Sequence, residues 1–138
     1  MVNTDAGLRE ALNFKGFKDE TLVCQQLIAH QEQLYKLYIV GDKYDYAIKK
    51  SIPEAFVTQG DFFFFETKMK FNEEEFTKFN GESRLKYEEL GVLVKALRDT
   101  FKLNLMGADL LIEENTGRIY IIDVNYFSSY MDLPNLHV

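Results

Sequence analysis

The stretch that decides the fold of this chain is Gly107-Ala108-Asp109-Leu110-Leu111-Ile112-Glu113-Glu114-Asn115-Thr116-Gly117-Arg118-Ile119-Tyr120-Ile121-Ile122-Asp123-Val124-Asn125. Two apolar runs of β-type residues flank Asn115-Thr116-Gly117, which is a turn sequence typical of a β-hairpin. If Thr116 occupies the centre of a three-residue turn, Glu114 faces Arg118. The sequence therefore predicts two antiparallel strands joined by a tight turn.

Counting outward from this turn places Asp109 directly opposite Asp123, with Cβ atoms about 5 Å apart. Two carboxylates at that distance repel each other unless a proton or a cation lies between them. Asn125 follows Asp123 by two residues and so projects from the same face. These side chains offer oxygen ligands, which suit Mg²⁺, and Mg²⁺ usually completes its shell with water and nucleotide phosphates. The hairpin therefore predicts a magnesium-nucleotide site.

Two other interpretations of the hairpin remain open. The opposed carboxylates could both end at a wet sheet edge and bind nothing. The register could also slip by one residue, which would move Asp109 and Asp123 to different faces.

The length and composition limit the classes of protein to which this chain can belong. The 138 residues predict one domain, residues 1–138, and 12 Phe and 8 Tyr suffice for a core. The formal charge of −6 argues against a nucleic-acid partner, because such domains carry a basic excess. We expect no membrane span and, without a signal pattern, a cytoplasmic location. The lone Cys24 excludes an internal disulfide, and its apolar neighbours predict a buried, inert thiol.

The rest of the pattern predicts helices packed on an antiparallel sheet. Thr4 or Asp5 can cap a helix that runs to about Phe14. A longer helix is predicted over Glu82 to Lys102, with Leu85, Leu90, Leu93, Leu97 and Phe101 in the core. Strands are predicted at Thr21 to Ile28, Leu34 to Val40 and Tyr44 to Lys50, and a buried segment at Phe62 to Phe65. The strand that ends at Val40 is closed by Gly41-Asp42, and Tyr44 to Lys50 is predicted to pair back with it as a hairpin. This order of elements indicates an α+β fold.

Two segments together resemble one family, the inositol 1,3,4-trisphosphate 5/6-kinases, also called inositol-tetrakisphosphate 1-kinases. The first runs from Val23 to His30 and continues from Leu34 to Gly41. The second joins Met106-Gly107-Ala108-Asp109 with Ile122 to Tyr130. The resemblance implies an ATP-grasp fold and places this chain in the C-terminal portion of it, after the family's phosphate-binding lysine.

The resemblance also implies site residues. Asp109 and Asp123 match the family's magnesium ligands, and Asp123 with Asn125 would hold a second magnesium. The segment from Gln25 to Lys36 matches the adenine and ribose side of the ATP cleft, and Ser51 matches a nucleotide-contacting serine. Lys36 and Asp123 would be catalytic, with ATP and Mg²⁺ as co-substrate and cofactor.

For the inositol polyphosphate, the resemblance implies contacts from Lys36, Lys49, Asn125 and Ser129. Lys49 stands where the family often has arginine, so a two-point phosphate contact would become a point-charge contact. The family's substrate-binding histidine is absent, because Ala6 or Gly7 stands at its place.

Lys36 and His30 each allow a second interpretation. Lys36 lies in an apolar strand, where a lysine is costly unless it is paired or faces a cleft. It could instead be exposed on an alternating strand together with Tyr38. His30 follows an apolar run and could either cap a turn or bind a ligand.

The sequence thus indicates ATP- and Mg-dependent phosphoryl transfer to a hydroxyl of an inositol polyphosphate. One alternative is an ATP-grasp carboxylate-amine ligase, which the lack of an arginine after Asn125 disfavours. Another is a truncated, non-catalytic remnant that binds only nucleotide or a partner. In that case a missing N-terminal half, or self-association, would cover an exposed apolar face.

Overall fold

A four-stranded antiparallel sheet forms the centre of the computed structural model, which describes residues 1–17, 20–53, 60–64 and 82–126. The helices are α1 (Asp5–Asn13), a 3₁₀ turn (Lys15–Phe17) and α2 (Tyr87–Phe101). The strands are β1 (Gln33–Val40), β2 (Lys43–Lys50), β3 (Leu105–Ile112) and β4 (Ile119–Asn125). They lie in the order β2-β1-β3-β4, and every neighbouring pair is antiparallel.

Strands β1 and β2 form the hairpin that the sequence predicts. Val40 pairs with Lys43 across the two-residue turn Gly41-Asp42. Gly41 has a φ of +60°, a left-handed conformation that costs a glycine little. The predicted strands at Leu34 to Val40 and Tyr44 to Lys50 are therefore confirmed, and β2 ends before Pro53.

Helix α2 packs its apolar stripe on one face of the sheet. Leu90, Val94 and Leu97 are fully buried, as is Leu85 just before the helix, against Leu37, Ile39, Met106 and Leu110 of the strands. The helix begins at Tyr87, later than predicted. The core assignment of Phe101 is wrong, since this last helical residue is 42% exposed where the chain turns towards β3.

The alternation of β1 and β3 divides the sheet into two faces. Tyr35, Leu37 and Ile39 share the helix-covered face with Met106, Ala108, Leu110 and Ile112. The intervening residues, among them Lys36 and Asp109, point to the opposite face. We call this the open face, because α2 covers only the other one.

The N-terminal segment differs from the prediction in one strand. Helix α1 is confirmed, and the Thr4 hydroxyl caps it by accepting from the Gly7 N–H at 3.1 Å. Thr21 to Ile28, in contrast, is extended chain that pairs with no described strand. Residues 20–27 are exposed, and Val23 is 92% exposed. β-type composition alone does not make a strand when no neighbour accepts its backbone hydrogen bonds.

The buried thiol predicted for Cys24 is wrong for the same reason, because this cysteine lies in the exposed extended segment. The phenylalanine segment is only partly buried, with Phe64 43% exposed, and Phe62 forms an isolated bridge with Val2. Phe65, the predicted loop from Asn72 to Gly81 and the tail beyond Tyr126 lie outside the described residues. Within the described part of the chain, no helix has the length and apolar character needed to cross a membrane.

Candidate functional site

Three charged side chains lie in one row across the open face of the sheet. Lys36 at the middle of β1 is directly opposite Asp109 of β3, and Asp109 is directly opposite Asp123 of β4. The predicted opposition of the two aspartates is confirmed. A positive charge on the central strand thus adjoins a pair of negative charges.

The hairpin reaches this register by a different route from the predicted one. Its loop has four residues, Glu114 to Gly117, and the Glu113 N–H donates to the Arg118 carbonyl at 2.9 Å. The predicted opposition of Glu114 and Arg118 is therefore wrong by one residue. A β-bulge at Ile122 restores the predicted pairing of the aspartates, because Leu110 pairs with Ile121 whereas Asp109 pairs with Asp123.

Each aspartate of the pair already has one polar partner. The Lys36 ammonium lies 3.5 Å from Asp109 Oδ2, and the two side chains are 30% and 19% exposed. Asn125 donates its amide Nδ2 to Asp123 Oδ2 at 2.8 Å, which agrees with the prediction that they share a face. A half-turn of the amide would instead present the Asn125 oxygen.

The oxygen atoms of Asp109, Asp123 and Asn125 fit a Mg²⁺ ion whose remaining coordination positions are filled by a bound ligand and water. In residues 1–17, 20–53, 60–64 and 82–126, no group of three or more His, Cys, Asp or Glu side chains is arranged to hold a metal. Asp109, Asp123 and Asn125 supply oxygen donors only, and a cationic ammonium already lies beside one carboxylate. Mg²⁺ characteristically binds one or two carboxylates and completes its shell with water and phosphates.

An apolar groove of about 660 Å³ adjoins this row. Its walls are α1, the extended segment 22–28, Ser51-Ile52 and two residues of the hairpin, Leu111 and Ile122. Leu111 shares the face of Asp109, and Ile122 immediately precedes Asp123, so the groove is lined by close neighbours of the carboxylate pair, although neither aspartate lines it. Its volume lies in the range of small-molecule sites, which extends from about 300 to 1,000 Å³.

The structure gathers the predicted site residues into these two places. Gln25 and Ser51 line the groove, and the Ser51 N–H donates to the Glu32 carbonyl at 2.6 Å. Lys49 pairs with Leu34 and therefore shares the open face with Lys36, as its diagonal neighbour at roughly 7 Å. Ser129 lies outside the described residues.

His30 lines the groove and is 7% exposed. Its Nδ1 is 2.6 Å from the Ile28 carbonyl oxygen, and its buried Nε2 has no hydrogen-bond partner among the described residues. The backbone carbonyl of His30 accepts from the Gln33 N–H across a turn in which Gln31 and Glu32 both have positive φ. The turn at His30 agrees with the first interpretation of this residue, whereas its ligand-binding role stays a prediction.

The two positions at which the resemblance places a histidine, Ala6 and Gly7, differ in the room they offer. A Cβ on Gly7 would lie 1.8 Å from the Asp61 carbonyl oxygen, so no side chain fits at this position in the observed packing. Ala6 is exposed on α1. The contact between α1 and the segment at 60–64 therefore excludes a larger side chain at Gly7 but not at Ala6.

Sequence reasoning did not assign Leu111 and Ile122 to the site. The signal for Leu111 was available, because it lies two residues from Asp109 on an alternating strand. Ile122 contacts the groove beside a bulge that periodicity does not reveal.

Comparison with known proteins shows similarity along most of the chain. Residues 11–138 match the profile of the inositol 1,3,4-trisphosphate 5/6-kinase ATP-grasp domain. The chain is 27% identical over 125 residues to inositol-tetrakisphosphate 1-kinase of Xenopus laevis, covering 81% of this chain and 31% of that protein. It is 26% identical over 127 residues to inositol-tetrakisphosphate 1-kinase 1 of Arabidopsis thaliana, with 83% and 40% covered.

Inositol-tetrakisphosphate 1-kinase 6 of Oryza sativa subsp. indica is 26% identical over 123 residues, which cover 82% of this chain and 22% of that protein. The chain thus matches between 22% and 40% of the length of these relatives. The match and the four-stranded antiparallel sheet with its helices agree with the predicted fold class. The chain belongs to the inositol 1,3,4-trisphosphate 5/6-kinase family and represents its ATP-grasp domain.

Proposed function

We propose that this chain takes part in the Mg-dependent transfer of the γ-phosphoryl group of ATP to a hydroxyl of an inositol polyphosphate. The observation that carries the proposal is the row Lys36–Asp109–Asp123, with Asn125 beside it and the apolar groove adjoining it. The names of the relatives indicate kinases that act on inositol phosphates, which supports the choice of substrate class.

Phosphoryl transfer asks mainly for positioning and charge neutralisation, with little covalent chemistry from the protein. Asp109, Asp123 and Asn125 would hold magnesium, which, when bound, neutralises charge on the β and γ phosphate oxygens. Lys36 and Lys49 project from the same face and would neutralise phosphate charge on the inositol polyphosphate or on ATP. This division of roles needs no nucleophilic side chain.

The groove would receive the base and ribose of the nucleotide. Its walls are mainly apolar, and Gln25, Ser51 and His30 supply polar groups within it. A largely apolar concavity with a few placed polar groups is the usual form of a cofactor site. The contact of Leu111 and Ile122 with the groove would then direct the phosphates of the nucleotide towards the carboxylate pair.

The test is transfer of labelled γ-phosphate from Mg-ATP to a panel of inositol phosphates. The Asp123→Asn variant keeps the size of the side chain and removes its charge. Transfer by the wild type that is lost in this variant is the expected result. If both chains bind ATP in calorimetry but neither transfers phosphate, catalysis by this chain is refuted.

A second function is favoured by the packing at Gly7. The contact with Asp61 leaves no room for a side chain at this position, one of the two at which the resemblance places a substrate-binding histidine. A nucleotide- or partner-binding protein without catalysis would show this feature. ATP affinity without transfer, and without dependence on inositol phosphate, would support this second function.

A further inference from the structure

The two aspartates of the site are occupied by different partners. Asp109 faces the Lys36 ammonium at 3.5 Å, whereas Asp123 accepts from the Asn125 amide. Lys36 therefore supplies the one full positive charge within 4.0 Å of either carboxylate among the ion pairs of the described residues. It flanks Asp109 on the side away from Asp123 and so offsets part of the negative charge of the pair.

A lysine and a divalent metal make competing demands on Asp109. Mg²⁺ binds a carboxylate oxygen at about 2.1 Å and brings two positive charges. The ammonium is a compact charge on a flexible four-carbon stem, so it can leave the carboxylate without movement of the strand. Because both are cations beside the same carboxylate, binding of one weakens binding of the other.

On the open face, the phosphate of a bound ligand would be the next partner of the displaced Lys36 ammonium. Lys36 is 30% exposed on this face, and Lys49 is its diagonal neighbour there. A phosphate bound to magnesium at the aspartates would lie within reach of the Lys36 side chain, which spans about 6 Å from its Cα.

We propose that Lys36 and a divalent metal are alternative partners of Asp109, so that metal binding transfers the Lys36 ammonium from the carboxylate to a phosphate of the ligand. The inference rests on the proposed function for the identity of the metal and the phosphate. Before the metal binds, the Lys36 ammonium offsets the charge of Asp109. After the metal binds, the same ammonium contacts the phosphate, so metal binding adds the charge of Lys36 to the phosphate site.

Linkage gives this exchange a measurable consequence. If Lys36 competes with the metal, removing it raises metal affinity in the absence of phosphate. If the metal frees Lys36, the metal strengthens pyrophosphate binding more in the wild type than in a variant that lacks Lys36. If Lys36 contacted only phosphate and not Asp109, its removal would change the phosphate-free metal affinity no more than removal of Lys43 does.

The experiment measures Mn²⁺ binding to the full chain by electron paramagnetic resonance, without nucleotide. Lys36→Met is compared with the wild type and with Lys43→Met. Lys43 is exposed on β2 and lies four residues from Ala47, the partner of Lys36, at about 13 Å along the strand. Lys43→Met thus removes the same charge without touching the pair.

The expected result is Mn²⁺ affinity about two- to tenfold higher for Lys36→Met than for Lys43→Met, the range of a partly exposed ion pair. Lys36→Arg should bind Mn²⁺ more weakly than the wild type, because its two-point contact holds the carboxylate more firmly. This second variant keeps the charge and tests the exchange even if Lys36→Met fails to fold.

Equal affinity of Lys36→Met and Lys43→Met, or weaker binding by Lys36→Met, would overturn the exchange and leave the metal site intact. Absence of Mn²⁺ binding in all of these chains would overturn the exchange together with the metal site of the proposed function. The two failures are thus distinguished by whether the wild type binds Mn²⁺ and Asp123→Asn does not.

Discussion

Asp109 of β3 lies directly opposite Asp123 of β4, and it does so because a bulge at Ile122 offsets a hairpin loop that is one residue longer than the turn sequence predicts. The opposition places two negative charges side by side, with Lys36 on one side and Asn125 on the other. Two adjacent carboxylates favour the binding of a cation, but their repulsion lowers the stability of the fold when no cation is bound.

Neutralising either aspartate should separate these two effects. Asp123→Asn removes like-charge repulsion, so the free energy of unfolding should change by no more than about 0.5 kcal/mol. The affinity for Mn²⁺ should fall at least about tenfold. Asp109→Asn also breaks the ion pair with Lys36, so it should unfold at a lower temperature than Asp123→Asn. Calorimetry measures both quantities. Identical unfolding temperatures would show that the Lys36 pair contributes no stability.

Arg84 should be the most important charged residue for the stability of the hairpin. Its guanidinium donates to the carbonyl oxygens of Glu113 at 3.2 Å and Glu114 at 3.0 Å, at the end of β3. Arg84→Ala should lower the free energy of unfolding by about 1.5–3 kcal/mol, because it leaves these carbonyls without a charged donor. Arg118→Ala, in the exposed loop, is the matched control. A similar small loss in both variants, measured by urea unfolding, would contradict this role.

Gly7 should tolerate no side chain. In Gly7→Ala the new Cβ would meet the Asp61 carbonyl oxygen at 1.8 Å, so α1 must move away from the segment at 60–64. We expect a loss of about 1–3 kcal/mol in urea unfolding, despite the better helix propensity of alanine. Gly41→Ala has open space but a φ of +60°, and should cost about 1 kcal/mol. A neutral or stabilising Gly7→Ala would show that this contact is absent in solution.

Asp99 on α2 predicts a pH dependence. A hydrogen bond from Lys95, followed by the charge of Lys95, lowers the pKa of Asp99 below its ordinary value of 3.8. A folded-state pKa below the unfolded one stabilises the protein above pH 3.8, and this contribution is lost as pH falls through the lower value. In Lys95→Ala the Asp99 pKa should rise, as followed by carbon NMR of the carboxyl group. Lys86→Ala should leave it unchanged, and an unchanged pKa in Lys95→Ala would disprove the contact.

Cys24 should react while the protein is folded. The thiol is exposed in the extended segment, and it is the only cysteine of the chain, so alkylation reports on it alone. Mass spectrometry should detect modification by iodoacetamide at similar rates with and without urea. A rate that rises by more than about tenfold in urea would indicate a protected thiol, as the sequence alone suggests.

Much of the secondary structure was available from local sequence signals. The β1–β2 hairpin follows from alternation closed by Gly41-Asp42, and α1 follows from its Thr4 cap. The strand predicted at Thr21 to Ile28 failed because a strand needs a neighbour, and its composition does not supply one. Likewise, helical spacing placed Phe101 on the core face, but the helix ends at that residue and leaves it exposed.

The sequence by itself determined the face shared by Asp123 and Asn125, because strand periodicity is a local property. It also predicted the opposition of Asp109 and Asp123, but the structure reaches that opposition through a longer loop and a compensating bulge. Only the tertiary structure decided that Lys36 joins this row, since residues of β1 and β3 are at least 65 positions apart in sequence and are brought together by the packing of α2. The groove is likewise a product of packing, because α1, the extended segment and the hairpin contribute its walls from distant parts of the chain. The charges and their spacing follow directly from the sequence, whereas the pairing of distant strands depends on which apolar faces bury each other.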